Sequence, residues 1–149
     1  MINVLFVCLG NICRSPMAEF LMKDITKKKG IEKDFYIMSA ATSNWEIGNP
    51  PHHGTVNKLN ELGISVGDKV STKLTKEDYK NYDYIIGMDD MNIRDILKII
   101  DTDTDKKVFK LLDFCGGGDI ADPWYTGDFE RTYQDILKGI DGLLKHLNK

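Results

Sequence analysis

Cys8, Cys13 and Arg14 stand within seven residues of one another, in the stretch VCLGNICRSPMAE. A thiol, an arginine six places after it and then Ser15 make a set suited to a phosphate-like anion. The guanidinium offers two parallel hydrogen bonds to the oxygens of such an anion. Gly10 and Asn11 tolerate positive φ, so the backbone between Cys8 and Ser15 is expected to curl and point several N–H groups inward. A nest of that kind ahead of a helix N-terminus binds an oxyanion. Its field favours negative charge, and thiolate is the nucleophilic form of cysteine, so Cys8 is the candidate nucleophile. The anion loop then comprises Leu9, Gly10, Asn11, Ile12, Cys13, Arg14 and Ser15. The Gly-Lys-Ser/Thr ending of a nucleotide P-loop is absent. The bland reading makes Cys8 a small buried hydrophobe and Arg14 a surface charge. The spacing, placed between a strand and a helix, favours the anion loop.

The flanking elements must hold that loop in shape. INVLFV, residues 2 to 7, reads as a buried strand, and from Pro16 a helix carries Met17, Phe20, Leu21 and Ile25 as far as Gly30. DFYIMSAAT is a second strand and runs into the loop SNWEIGNPPHHG. Val56, Leu59 and Leu62 mark a helix ending at Gly63, and Thr75 with Asp78 caps a helical turn. YDYIIGMD is a third strand, MNIRDILKII a helix and KKVFKLLDF a fourth strand. The loop CGGGDIADPWYTGD follows, its three glycines read as a source of mobility. The last helix runs from Phe129 to Leu147 with Phe129, Tyr133, Ile136, Ile140 and Leu144 on one stripe. Alternating strands and helices imply an α/β, three-layer fold: a mostly parallel sheet with helices on both faces. One domain is expected over residues 1 to 149, with its site where strands end and loops begin.

Bulk properties narrow the partners. A net charge of −3 argues against nucleic acid, and no apolar run is long enough for a membrane span. No signal peptide is apparent, and three cysteines are too few and too odd in number for a disulfide framework. A reducing, cytoplasmic setting is therefore expected. DTDTD at 101 to 105 resembles an EF-hand start but has Lys106 and Leu112 where Gly and Glu are required, so it reads as a solvated acidic loop. No metal or cofactor is expected, and the chain is expected to be a monomer or weak dimer. Cys115 has no evident role and reads as structural.

Trp45, Trp124 and Tyr125 fall in loops, where large rings are poorly explained as core. With Leu9 and Ile12 they are read as walls of a cleft for an aryl phosphate, since stacking favours a phenyl ring over a short aliphatic arm.

Through VCLGNICRSPMAE, SAATSNWEIGNPPHHG, DYIIGMDDMNIRDI and DIADPWYTGDF, the chain resembles the low-molecular-weight protein tyrosine phosphatases over nearly its whole length. The resemblance implies a four-stranded parallel sheet flanked by helices, with the phosphate loop after strand 1. It implies metal-free phosphoryl transfer through a phosphocysteine on Cys8. Arg14 would stabilise the equatorial oxygens, and Asp122 of ADPWY would be the general acid and then the base. Ser15 would bond the Cys8 thiolate, Asn11 would hold the strained loop and Ser39 would support Asn11. The rival carboxylates Asp119 and Asp128 do not precede the Pro-aromatic pair, and Asp-Pro also reads simply as a turn opener.

One departure is Lys69, which stands where the family commonly has a network histidine; His52, His53 and His146 are expected to face solvent. Substrates implied are phosphotyrosine proteins or small aryl phosphates, with inhibition by phosphate or vanadate. Cys13, five residues from Cys8, is a candidate redox partner able to capture a sulfenic acid on Cys8 as a disulfide. Three alternatives compete. A thioredoxin-coupled arsenate reductase needs two further cysteines, and only Cys115 lies downstream. A protein-arginine phosphatase carries Thr in place of Ile12. A pure phosphate-binding module gains nothing from Asp122 facing a dianion.

Overall fold

The computed structural model describes residues 1–149. Strands β1 (Ile2–Cys8), β2 (Phe35–Ala41), β3 (Tyr84–Gly87) and β4 (Val108–Lys110) form one parallel sheet in the order β2-β1-β3-β4. The helices are α1 (Arg14–Lys28), α2 (His53–Glu61), α3 (Asp78–Asn81), α4 (Asp90–Ile100), α5 (Pro123–Thr126) and α6 (Phe129–His146). β1 is central because both of its edges are paired and its residues are apolar on both faces. Alternation along it splits the core. Val4, Phe6 and Cys8 pack with Met17, Met22, Ile136 and Ile140 of α1 and α6. Leu5 and Val7 pack with Ile96 and Ile100 of α4 on the other face. The expected α/β three-layer sheet is therefore the observed one.

Register fixes where the loops meet. Cys8 pairs with Ala41, and Val7 with Gly87, so β1, β2 and β3 end together at one edge of the sheet. A Cβ at Gly87 would lie 3.0 Å from side-chain carbons of Asn92 and Ile93. Glycine there lets the first turn of α4 sit hard against β3, which brings Asp89 to the same edge.

Several element boundaries differ from expectation: YDYIIGMD is strand only over Tyr84–Gly87, Pro123–Thr126 is a short helix within the expected loop, and two further differences have clear physical reasons. α1 begins at Arg14 rather than Pro16, so Pro16 occupies the first turn, where its missing N–H has no intrahelical partner to lose. The run KKVFKLLDF is strand only over Val108–Lys110; Leu111–Cys115 winds into a 3-10 turn. The Asp113 carboxylate accepts the Lys110 N–H at 2.9 Å and turns the chain there, while Leu111 plugs the core. Cys115 ends this turn and is exposed, so it has no packing role. Gly116, Gly117 and Gly118 have φ of 110°, 94° and 112°, a conformation that favours glycine over any side chain.

The 3-10 turn is held by α6 through two small residues. A Cβ at Gly142 would lie 2.3 Å from the Phe114 carbonyl oxygen, and one at Gly139 2.3 Å from Leu111 Cγ. Replacing a helical glycine by alanine ordinarily stabilises by about 1 kcal/mol. Here Gly142→Ala should reverse that sign and destabilise by about 1–3 kcal/mol through overpacking. Urea denaturation checks this; a rise in the unfolding midpoint would contradict the packing described.

Candidate active site

The loop from Cys8 to Ser15 turns its carbonyls outward onto the scaffold. The Cys8 carbonyl accepts from Thr42 N at 3.0 Å, and the Leu9 carbonyl from Ser43 N at 3.0 Å and Ser43 Oγ at 2.8 Å. The Gly10 carbonyl takes Ser71 Oγ at 2.8 Å, that of Ile12 takes His52 N at 2.7 Å, and that of Cys13 takes Thr55 Oγ1 at 3.0 Å. The amide N–H groups from Leu9 to Arg14 donate to no protein acceptor, and Ser15 N donates to Cys8 Sγ at 3.4 Å. Because each carbonyl points opposite its peptide N–H, tying the carbonyls outward aims the donors at a common centre.

Asn11 makes the turn, with φ of 56°. Gly10, which also tolerates positive φ, does not adopt it. The left-handed region costs a non-glycine residue about 1–2 kcal/mol. Asn11 offsets that with three bonds of about 1 kcal/mol each. Its Nδ2 donates to Ser15 Oγ at 2.7 Å and Ser39 Oγ at 2.9 Å, and its Oδ1 accepts from Thr72 N at 3.2 Å. Since Ser15 Oγ already accepts from Asn11, its own proton is free for Cys8 Sγ, 3.0 Å away.

The network ends on a residue that sequence reasoning missed. Ser39 Oγ donates to Glu19 Oε1 at 2.6 Å, and Glu19 is buried on α1. Its carboxylate also meets Lys69 Nζ at 3.2 Å and Lys23 Nζ at 2.6 Å, and Lys69 Nζ donates to the Ser39 carbonyl at 3.0 Å. Lys69 is therefore part of the network around Ser39 and Glu19. One signal was available: Ser15, Glu19 and Lys23 recur every four residues, and Glu19 is the one charge inside the otherwise apolar PMAEFLM.

Arg14 is 2% exposed and anchored by one edge. Its Nη1 donates to Asp89 Oδ2 at 2.7 Å and to the Ile120 carbonyl at 2.9 Å. Nη2 lies 3.4 Å from Asp122 Oδ2, and Nε is buried with no partner. The Nε–Nη2 edge is thus the one available for bidentate contact. Burial works against the charge, but Cys8, the Asp89 hydrogen bond and Asp122 outweigh it and hold the Arg14 pKa above its ordinary value. Asp89, the N-cap of α4, was a second residue missed; no local pattern signals a partner 75 residues away.

Asp122 caps α5, with Oδ1 accepting from Trp124 N at 3.0 Å. It serves as the turn opener and also faces the anion loop. Ile120 fixes this segment: its side chain is fully buried and its N–H donates to the Met88 carbonyl at 2.9 Å. The rival carboxylates are engaged elsewhere, Asp119 with Lys110 at 2.9 Å and Asp128 as the N-cap of α6.

One cleft is lined by Cys8, Leu9, Ile12, Cys13, Asp122 and the rings of Trp45, Trp124 and Tyr125. Glu46 also lines it and was not anticipated. Trp45 and Tyr125 are 75% and 77% exposed, so they form a rim and not part of the core. His53 and His146 are exposed as expected, but His52 is not free in solvent. Its ring stacks on His53 and Phe129 at 4.1 and 5.2 Å and meets the Trp124 ring edge-on at 5.5 Å. Burial, then His53, lowers its pKa. The Cys13 thiol is pushed up to about 12 by burial, then by Cys8 and Asp122.

A parallel α/β sheet with a Cys-Arg anion loop after its first strand and a carboxylate facing that loop defines the class of small α/β phosphatases. A family model described as low molecular weight phosphotyrosine protein phosphatase matches residues 3–149. The chain is 43% identical over 152 residues to low molecular weight protein-tyrosine-phosphatase YfkJ of Bacillus subtilis, covering 100% of this chain and 97% of that protein. It is 40% identical over 151 residues to low molecular weight protein-tyrosine-phosphatase PtpA of Staphylococcus aureus, covering 100% of this chain and 96% of that one. The crystal structure of YfkJ matches with a TM-score of 0.94 and 42% identity, covering 99% of this chain and 95% of that chain. The chain belongs to the low molecular weight phosphotyrosine protein phosphatase family and is a protein-tyrosine-phosphatase, a hydrolase. No helix is long and apolar enough to cross a membrane.

The Glu19–Lys69 pair should be felt by the loop. Lys69→Met removes one of two cations from a buried carboxylate and is expected to cost about 1–3 kcal/mol of stability. Lys69→Arg should recover part of it. Thermal unfolding of the two variants, with phosphate affinity as a second readout, checks this. Parental stability and affinity in Lys69→Met would show that the pair does not support the loop.

Proposed function

We propose that the chain hydrolyses phosphotyrosine in two steps at Cys8. The Cys8 sulfur attacks phosphorus while the phosphorus–aryl oxygen bond breaks, and the leaving oxygen takes a proton from Asp122. Water then attacks the phosphocysteine, Asp122 accepts a proton from it, and inorganic phosphate leaves as the phosphorus–sulfur bond breaks. Arg14 and the amides from Leu9 to Ser15 hold the equatorial oxygens throughout. Asn11, Ser15 and Ser39 position the loop, and the Ser15 proton stabilises Cys8 as thiolate and as leaving group.

The observation that carries this reading is the cleft itself: Cys8 at its floor, inward N–H donors around that sulfur, and Asp122 on its wall. Leu9, Ile12, Trp45, Trp124 and Tyr125 suit a phenyl ring. Ile12 offers no hydroxyl to a guanidinium, which favours phosphotyrosine over phosphoarginine. Phosphate and vanadate are expected to compete with substrate for the same donors.

Cys8→Ser should abolish turnover and keep phosphate binding measurable. Asp122→Asn should slow phosphotyrosine-peptide cleavage by about 10²–10⁴-fold, with a smaller loss on an activated nitrophenyl ester whose oxygen leaves without help. Single-turnover formation of phosphocysteine in Asp122→Asn at the parental rate would reassign the acid.

Cys13 is the proposed redox partner. Peroxide converts the Cys8 thiol to a sulfenic acid and water. Attack by the Cys13 sulfur then forms the Cys8–Cys13 disulfide and releases a second water. With its pKa near 12, Cys13 is a thiol at neutral pH. Burial is the main cause and persists when Cys8 is a sulfenic acid, so disulfide formation should quicken as pH rises above neutral. After a peroxide pulse, dithiothreitol should restore the parent, whereas Cys13→Ser should lose activity irreversibly. Equal recovery of the two would remove Cys13 from this role.

A further inference from the structure

The cleft borders a second groove. That groove shares Leu9 and Trp45 with the cleft and extends between the loop after β2 and helix α4. Met91 and Ile99 of α4 are part of its apolar lining, and Lys73 and Lys98 line it as well. Neither ammonium group has a carboxylate within 4.0 Å, although Asp95 lines the same groove. Both lysines come from rigid elements. Lys98 lies in α4, and the backbone at Lys73 is pinned to the end of β2: Ala41 N donates to the Thr72 carbonyl at 2.7 Å, and Leu74 N to the Ala41 carbonyl at 2.8 Å.

A phosphotyrosine in a polypeptide arrives with chain on both sides. Extended chain advances about 3.3 Å per residue, so the next residues must pass over the rim of the cleft. On the Leu9–Trp45 side they enter this groove; the Trp124–Tyr125 wall offers no such continuation, because neither ring lines it. We propose that the groove is a specificity subsite for a phosphotyrosine peptide carrying an acidic residue close to the phosphotyrosine on one side only. The acidic side chain pairs with Lys73 and Lys98, and its neighbour rests on Met91 and Ile99. The two lysines outnumber Asp95, so the groove favours an acidic over a basic segment even though the whole chain carries −3.

This inference rests on the phosphotyrosine reading of the cleft, and the test separates the two. Parent, Lys73→Ala, Lys98→Ala and the double variant are assayed on nitrophenyl phosphate and on phosphotyrosine peptides. In the peptides, one Glu or one Lys is moved through the three positions on either side. The nitrophenyl phosphate rate should be the same in all four proteins. In the parent, Glu on one side should raise kcat/KM over Lys by about three- to tenfold, and each lysine removed should cost about two- to fivefold of that preference. High salt should erase the preference as well. A normal nitrophenyl phosphate rate with no acidic preference, a preference equal on both sides, or one that survives in the double variant overturns the subsite. Absence of phosphotyrosine and nitrophenyl phosphate turnover in the parent overturns the functional reading, and the subsite with it.

Discussion

The structure depends on one constraint, the direction in which the peptide groups between Cys8 and Ser15 face. Each outward carbonyl is met by a donor from a different part of the chain: Thr42 and Ser43 after β2, Ser71 before the bridge to β2, His52 and Thr55 at α2. An anion site made of N–H groups needs this surround, because the donors turn inward only if the acceptors are satisfied elsewhere. The residues around the loop are therefore small and hydroxylic more often than charged.

A second layer fixes the one strained residue. Asn11 keeps its left-handed turn through Ser15, Ser39 and Thr72, and Ser39 is in turn oriented by Glu19. Hydrogen bonds run in one direction along this chain, from the Asn11 amide through the Ser39 hydroxyl to the Glu19 carboxylate. A buried carboxylate is costly alone. With Lys69 and Lys23 beside it, it becomes a fixed acceptor that determines which way each hydroxyl points. The same chain leaves the Ser15 proton facing Cys8. The surroundings of the Cys8 sulfur are thus connected by hydrogen bonds to an ion pair on the far side of the loop.

Arg14 links the loop to the carboxylate opposite it. Asp89 and the Ile120 carbonyl hold one edge of the guanidinium, and on the other Nη2 lies 3.4 Å from Asp122 while Nε has no partner. Ile120 is also the residue that seats the Asp122 segment against Met88 at the end of β3, so Arg14 and the candidate acid share one anchor. The rings of Trp124 and His52 pack across this junction, coupling α5 to the backbone that accepts at Ile12.

Local signals in the sequence suffice for the sheet, the longer helices and the anion loop, whereas α5 falls in what reads as a loop. Apolar period and strand-helix alternation set the layers, and the spacing of Cys8, Arg14 and Ser15 set the chemistry. Asp122 stands out only through the family resemblance of ADPWY, because Asp before Pro reads locally as a turn opener; in the fold it caps α5 and lines the cleft. The sequence overextends β4, because LLDF is as apolar as a strand and only the Asp113 cap turns it into a 3-10 segment. Tertiary structure alone decided the partners that lie far apart in sequence: Asp89 for Arg14, Glu19 and Lys69 for Ser39, and His52 for Ile12. Ionic and hydrogen-bonded partners carry no periodicity of their own. A charged residue has the same appearance in the sequence whether it meets water or a buried carboxylate, and only the register of the sheet brings the two ends of such a pair together.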